Sequence, residues 1–283
     1  MEVSRSQWYY FSRGDIVIQV ENRLYKLHRD VLETYSGFFK DMFSSPSSDH
    51  SEGTSDESPL HLLQDLCSSK SFGTLCRFMY PRKPGTLPVI LSKDFLTWEP
   101  VLEATSALDM VGIQEYILDQ LAGDTTDISS MPVKLLQWAI RASHQGLKLE
   151  GLRIFAYRRL PLSPGEVITL GKHAAQAMFT RERIRTKLLS QPVTWLEDEV
   201  YPHNMCARRP GCRTAILKAI VQNLTVLPNN LSKGDTSDIF EVAPDGLCSR
   251  CQPIRVELAR AVRKGKLDSI IRESSTGHVP DHD

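Results

Sequence analysis

The residues best suited to chemistry are two cysteines in the last third of the chain, Cys248 and Cys251. Two residues separate them and a turn-forming Asp-Gly pair precedes them, a spacing that lets two thiolates converge on one metal ion. Paired cysteines in an intracellular chain indicate metal or redox chemistry more often than a disulfide. A thioredoxin-type redox pair is not favoured, because no βαβ pattern surrounds these residues.

Cys206 and Cys212 form a second, more widely spaced pair, and His203 lies three residues before Cys206. Structural zinc sites are closed sets of four such ligands. The sequence therefore predicts a structural Zn²⁺ ion held by Cys206, Cys212, Cys248 and Cys251, with His203 as an alternative ligand. Four ordinary thiols are the other interpretation of the same pattern.

Recognised catalytic motifs are absent from the sequence. It contains no nucleotide-binding glycine loop, no H-E-x-x-H metalloprotease helix and no G-x-S-x-G nucleophile elbow. The acidic run at 197–199 is typical of a solvated segment. We therefore predict a protein that is not an enzyme and has no small-molecule substrate.

Length and charge indicate two structural units. The chain has 283 residues, 41% of them hydrophobic and 24% charged, enough for one large domain or two ordinary ones. Its basic and acidic residues number 34 each, but residues 1–124 carry a net charge of −7 and residues 125–283 a net charge of +7. Opposite charges on two segments favour two separately folded units.

The sequence also bears on location. No apolar run is long enough for a membrane helix, and the N-terminus has no apolar stretch like that of a secretory signal. We expect an intracellular protein of the cytoplasm or nucleus, neither secreted nor membrane-spanning.

Residues 13–123 alternate between strand and helix patterns. Ile16, Ile18 and Val20 fall on one face of a strand, and a polar turn leads into a second strand, so the two form a hairpin. Apolar residues then recur every three or four positions, which predicts two short helices. A third strand at 60–63 and three more helices complete an α+β pattern.

The string DIVIQVENRLYKLHRDVLETYSGFFKDMF resembles the opening of a BTB/POZ domain. The positions that match the family pattern are Asp15, His28, Arg29, Val31, Leu32, Ser36, Phe39 and Phe43. The resemblance covers residues 13–123 and implies the BTB/POZ fold, a short β-sheet flanked by helical hairpins, in a module that binds itself or partner proteins. The acidic, serine-rich insertion and the C-terminal half are similar to those of the BTB proteins of filamentous fungi.

The resemblance also implies a partner-binding site. In several branches of the family, an acid at the start of this strand and a base after the histidine form a charged pocket, and here these are Asp15 and Arg29. Opposite charges beside a groove select and orient a partner more than they add affinity. An internal salt bridge that ties the strand to the first helix is the alternative.

Residues 44–58 consist mainly of serine and acids, with proline and glycine and no large apolar side chain. Such a segment cannot bury enough surface to offset its ordering entropy. We predict a disordered surface loop, for which a phosphorylation patch is the functional alternative to a tolerated insertion.

Residues 127–271 are predicted to form a mainly α-helical C-terminal region, followed by a disordered tail at 272–283. Ser163 and Glu166 have the spacing of a helix capping box, with Pro164 at the first helical position. A last amphipathic helix is predicted over 253–271. The alternating basic residues between 181 and 187 spread around a helix, so a solvated helix is favoured over a nucleic-acid-binding tract.

The predicted function is therefore that of an intracellular, noncatalytic BTB/POZ module that binds itself or partner proteins. A substrate adaptor of a cullin-type ubiquitin ligase is one alternative. A zinc-dependent nucleic-acid-binding regulator, using the basic C-terminal half, is the other.

Overall fold

The fold is known from a computed structural model. The described residues are 2–45, 52–83, 85–123, 132–190, 200, 202, 204–225 and 238–276. The chain divides into two compact units, Met1–Asp127 and Ile128–Asp283. Among the described residues, no helix combines the length and the apolar character that crossing a membrane requires.

The N-terminal unit is built on a small mixed sheet in the order β1-β3-β2-β4. Its strands are β1 (Ser4–Tyr10), β2 (Ile16–Val20), β3 (Arg23–Leu27) and β4 (Leu60–Leu62). The predicted hairpin is the antiparallel β2–β3 pair, in which Val20 lies opposite Arg23. The two-residue turn begins at Glu21, whose φ of 54° matches the left-handed backbone that such turns require. Strands β1 and β4 pair in parallel at the two edges.

Strand β1 lies upstream of the boundary predicted at residue 13. Ser6 and Tyr9 are its buried positions, three residues apart, because the pairing with β3 is irregular between Arg5 and Tyr10. An irregular strand does not show the two-residue alternation by which strands are recognised. The predicted start of the domain was therefore too late.

In the described part of this unit, five α-helices accompany the sheet. They are α1 (Arg29–Tyr35), α2 (Gly37–Ser44), α3 (Ser69–Met79), α4 (Phe95–Ala107) and α5 (Val111–Gly123). The predicted break between the first two helices is confirmed at Ser36, whose hydroxyl caps α2 by accepting a hydrogen bond from the Phe39 N–H. The same hydroxyl donates to the carbonyl of Leu108, so the cap also ties α2 to the end of α4.

The core of this unit lies where the sheet meets the helices. Tyr25 of β3 packs edge-on against Phe72 of α3, with ring centroids 4.9 Å apart, and both side chains are fully buried. Burial raises the pKa of Tyr25 to about 12. Among the four large apolar residues at 38–43, Phe39 is fully buried and the other three are half-buried.

Part of the acidic segment 44–58 departs from the predicted disorder. Residues 52–58 form a turn in which the Gly53 carbonyl accepts a hydrogen bond from Val17 of β2. Asp56 accepts hydrogen bonds from Arg5, at 2.7 Å, and from the Tyr10 hydroxyl, both on β1. The prediction of disorder from composition is wrong for residues 52–58, because backbone hydrogen bonds and one carboxylate, rather than apolar burial, hold the turn. Residues 46–51 lie outside the described residues.

The C-terminal unit is mainly helical, as predicted. Its helices are α6 (Pro132–Arg141), α7 (Gln145–Tyr157), α8 (Pro164–Leu170), α9 (Lys172–Ser190), α10 (Arg209–Thr225), α11 (Arg255–Ala261) and α12 (Asp268–Ser275). Tyr157 and Phe240, both fully buried, pack edge-on in its core with ring centroids 4.9 Å apart.

The capping box at the start of α8 is confirmed, with Ser163 and Glu166 bonded reciprocally. The Glu166 carboxylate also accepts hydrogen bonds from both terminal nitrogens of the buried Arg158, at 2.7 and 2.9 Å. This bidentate pair lowers the pKa of Glu166 to about 2. One acid therefore closes the cap of α8 and neutralises a buried cation at the end of α7.

The basic stretch of α9 is not the solvated face that its pattern favoured. Arg181 is 9% exposed, and it and Arg185 both donate to the backbone carbonyl of Arg159 at 3.1 Å. Arg185 also donates to the carbonyl of Leu224 in α10, at 3.2 Å. These guanidinium groups satisfy the carbonyls of segments that are distant in sequence, which no periodicity within α9 could indicate.

The predicted last helix over 253–271 is interrupted and ends later. A π-helical turn over Arg263–Leu267, with Gly265 at a φ of 118°, separates α11 from α12. Helix α12 continues to Ser275, whose carbonyl accepts a hydrogen bond from the Lys148 ammonium at 2.8 Å. The predicted tail therefore starts too early at residue 272, because its first residues pack as helix; residues 277–283 lie outside the described residues.

Candidate partner-binding surface and metal centre

The structure places Asp15 and Arg29 next to each other, at the point where the chain passes from the hairpin to α1. The exposed Asp15 carboxylate accepts a hydrogen bond from the backbone N–H of Arg29 at 2.8 Å. The N-cap residue of α1, His28, makes no side-chain capping bond. Asp15 therefore satisfies a free N–H at the positive end of the helix, where a carboxylate is favoured.

The Arg29 side chain takes a different direction. Its guanidinium lies over the ring of Phe43 in α2, 4.8 Å from the centroid, a cation–π contact. Within the part of the chain that the structure describes, it makes no ion pair with Asp15, which differs from the salt bridge given as the alternative interpretation. Strand and helix are tied together through the backbone of Arg29, and Phe43 is the residue that sequence reasoning did not assign to this surface.

His28 has a packing role beside these two residues. Its ring lies 5.5 Å from that of Phe11 and 5.9 Å from that of Tyr80, and its backbone N–H donates to the Tyr80 hydroxyl at 3.1 Å. The aromatic cluster fixes the corner between β3 and α1. Arg29 is therefore held in position by this aromatic cluster on its N-terminal side and by its side-chain contact with Phe43.

The structure brings together the four cysteines that the sequence singled out. Cys206 lies just before α10 and Cys212 in its first turn, while Cys248 and Cys251 flank a turn before α11. The four sulfur atoms all lie within 4.8 Å of one another, although up to 45 residues separate them along the chain. The position of the alternative ligand, His203, lies outside the described residues.

The spacing of the four sulfurs is close to the one that a single tetrahedral metal ion requires. Cys206 Sγ and Cys248 Sγ are 3.6 Å apart, too far for a disulfide. A Zn²⁺ ion with bonds of about 2.3 Å to four sulfurs holds those sulfurs about 3.8 Å apart. The set could therefore hold such an ion after contraction of its longest edges. Among the described residues, no other group of three or more potential ligands is this close.

Backbone amides around the turn favour thiolate at one of these positions. The N–H of Cys251 lowers the pKa of Cys248 to about 6, with help from the N–H of Arg250 and the neighbouring thiols. Burial, in contrast, raises the pKa of Cys212, although the N–H of Cys248 donates to its sulfur at 3.4 Å. Amide donors aimed at sulfur stabilise the negative charge that a metal-bound thiolate carries.

The comparisons with known proteins concern the N-terminal unit. Residues 4–121 match the family model of the BTB/POZ domain, a family of protein-interaction modules. The match starts at the first residue of β1 and ends in α5, so it covers the sheet, helices α1 to α4 and most of α5. No curated protein matches the chain.

Proposed function

From the premise that residues 4–121 form a BTB/POZ domain, we propose that this protein is a noncatalytic interaction module that binds itself or other proteins. The observation that carries the proposal is the coincidence of the family match with the sheet-and-helix unit. We further propose an intracellular location, in the cytoplasm or nucleus, because six cysteines that form no disulfide suit a reducing compartment.

We propose that Asp15 and Arg29 contribute to the partner-binding surface. The carboxylate is exposed at a helix end, and the guanidinium is held against Phe43, so opposite charges stand at fixed places on one surface. Fixed charges of this kind set the orientation of a partner and discriminate against wrong ones.

The test is affinity purification with the full chain, followed by rebinding of each captured protein in purified form. Asp15→Asn removes the charge but keeps an oxygen that can cap α1, and Arg29→Gln removes the other charge. We expect both variants to weaken a purified partner's binding, while Lys40→Gln, an exposed charge on α2, leaves it unchanged. The proposal fails if the chain stays monomeric in sedimentation at every concentration and no captured protein rebinds.

The narrower role of a cullin-type ubiquitin-ligase adaptor depends on the partner's identity. The closest string to the apolar-x-Glu element of that branch is Leu63-Gln64-Asp65, a poor match because Asp65 stands where the element has a glutamate, although Leu63 is 68% exposed. A purified cullin scaffold should bind the chain at micromolar concentration, and Leu63→Ala should weaken that binding. Absence of binding at that concentration removes this role.

We propose that Cys206, Cys212, Cys248 and Cys251 hold a structural Zn²⁺ ion in the C-terminal unit, because their four sulfurs already lie within 4.8 Å of one another. The ion would join the start of α10 to the turn before α11. One zinc per chain in a metal assay of the purified protein is the expected result. Its absence, with all four thiols reactive toward a maleimide, would contradict the proposal.

The zinc-dependent nucleic-acid binder is disfavoured by how the arginines are used. Arg158 pairs with Glu166, Arg181 and Arg185 donate to backbone carbonyls, and Arg183 pairs with Glu273 at 2.8 Å. Retention of nucleic acid on a filter at low salt, lost steeply as the salt rises, would restore this alternative.

A further inference from the structure

A cavity of about 360 Å³ opens between β1 and the segment that follows α3. Tyr9 of β1, Arg77 of α3, and Arg82 and Thr86 of that following segment line it, beside an apolar wall at 87–88. Within the described part of the chain, the lining carries two cations and no acid. None of its lining residues belongs to the surface around Asp15 and Arg29 or to the cysteine cluster.

Tyr9 presents a buried hydroxyl to this cavity. The side chain is 5% exposed, and its O–H finds no acceptor among the described residues. Burial raises the pKa of Tyr9, while the charges of Arg82 and Arg77 and a hydrogen bond from Arg82 act against that rise, so both cations lie near the hydroxyl. Buried polar groups in proteins are usually paired, and a donor left without a partner beside two cations indicates a site for an anion.

Arg82 is held in place before any ligand arrives. Its guanidinium stacks on the ring of Trp8 at 3.6 Å from the centroid, which fixes the plane of its N–H groups. Neither Arg82 nor Arg77 has a carboxylate partner in the described residues. A guanidinium in a fixed plane is preorganised for two parallel hydrogen bonds to a phosphate or carboxylate.

We propose that the cavity lined by Tyr9, Arg77 and Arg82 binds a phosphorylated serine or threonine side chain of a partner polypeptide. The proposal rests on the function proposed above and specifies what one part of the interaction domain recognises. Charge decides between the two oxyanions, because a phosphate monoester carries about −1.5 to −2 at neutral pH and matches two guanidinium groups. A single carboxylate would leave one cation unmatched.

The test uses three small probes on the full chain: N-acetyl-phosphoserine amide, N-acetyl-aspartate amide and N-acetyl-serine amide. Binding is followed by NMR through the Nε–H signals of Arg77 and Arg82. We expect saturable shifts with the phosphoserine probe, weaker ones with the aspartate probe and none with the serine probe. Binding should weaken as the pH falls through about 6, where the phosphate loses its second charge.

Variants separate the site from general attraction by charge. Arg77→Gln and Arg82→Gln should each weaken the phosphoserine probe about tenfold or more, and Tyr9→Phe, which keeps the ring, should do so as well. Arg13→Gln removes another exposed arginine of the same unit and should bind like the unchanged chain. The proposal is overturned if the phosphoserine probe gives no saturable shift, if the aspartate probe binds equally well, or if all these variants behave alike.

Failure of this site can be distinguished from failure of the interaction function. Partners captured by the full chain equally well before and after phosphatase treatment, and equally well by Tyr9→Phe, would leave the interaction function standing and remove the phosphate site. A chain that binds the phosphoserine probe but captures no partner would do the reverse.

Discussion

Asp15 acts on the backbone of Arg29 at a helix end whose own N-cap residue supplies no side-chain bond. We expect Asp15→Ala to lower the free energy of unfolding by about 1 kcal/mol, the usual cost of losing a capping oxygen. Asp15→Asn keeps an acceptor oxygen and should lose less. Urea unfolding of the two variants measures the difference, and equal losses would show that charge rather than capping is responsible.

Glu166 couples the start of α8 to Arg158 at the end of α7. Arg158 holds the pKa of Glu166 at about 2 in the folded chain, below the ordinary 4.5 of an unfolded glutamate. A carboxyl whose pKa is depressed by folding stabilises the fold above its unfolded pKa, and this contribution is lost as the pH falls from about 4.5 to about 2.

We therefore expect Glu166→Gln to flatten the acid side of the stability profile in that window and to lower stability at neutral pH. Thermal unfolding from pH 2 to pH 7 checks this, with Glu257→Gln, an exposed acid of α11, as the control. An unchanged acid limb in the Glu166 variant would contradict the assignment.

For individual residues, the sequence predicted interactions between residues that lie close together in the chain or that share a distinctive side-chain chemistry. The capping box was predicted because its residues lie three apart, and the cysteines because thiols rarely cluster without a reason. The hydrogen bonds from Arg181 and Arg185 to backbone carbonyls were not predicted, because every residue has a carbonyl and the sequence does not show which one is the acceptor. The cavity around Tyr9 was missed for a related reason, because its residues come from two segments with no shared motif.

The joint between α1 and α2 shows how an element depends on one small residue. A Cβ built on Gly37 would come within 1.9 Å of the Asp109 carboxylate, while the Gly37 N–H donates to the Asp109 carbonyl at 3.0 Å. We expect Gly37→Ala to cost about 1 kcal/mol of unfolding free energy, the low end of the range for overpacking, because the exposed Asp109 carboxylate can rotate aside.

Gly112 in α5 is the matched control for this substitution. A Cβ there would meet nothing within 4 Å, so Gly112→Ala should be neutral or should stabilise the chain by about 0.4–1 kcal/mol. The two variants are compared by chemical denaturation. A Gly37 variant as stable as the Gly112 variant would show that the close approach relaxes at little cost.

Secondary-structure elements of this chain differ in how well their sequence patterns predict them. The β2–β3 hairpin alternates regularly and was predicted, whereas β1 pairs irregularly and was not. The π-helical turn at 263–267 was also unforeseen, because the apolar spacing on both sides of it is helical. Regular elements can be derived from residue order, but interruptions depend on packing partners that lie elsewhere in the chain.

At the scale of the whole molecule, the two units should respond differently to removal of metal. If zinc holds the four cysteines, a chelator should reduce amide protection against hydrogen exchange in residues 204–225 and 238–276 and leave the sheet at residues 4–62 unchanged. Cys248→Ser should have the same effect without a chelator. Cys67→Ser, a buried thiol of the other unit, serves as the control.

Equal loss of protection in both units would contradict a local zinc site. So would a Cys248 variant whose exchange pattern matches that of the unchanged chain. Mass spectrometry under native conditions completes the test, because the intact chain should be heavier by one zinc ion and the variant should not.

The turn at 52–58 has a practical consequence for anyone who shortens this chain for crystallisation. Trimming serine-rich inserts is routine, yet Asp56 is where Arg5 and Tyr10 of the outermost strand are fastened. A deletion that removes Asp56 would remove both hydrogen bonds from β1, some fifty positions earlier in the chain. The structure of the trimmed protein would then show an altered β1 edge of the sheet that the full chain does not have. Sparing residues 52–58 avoids that artefact.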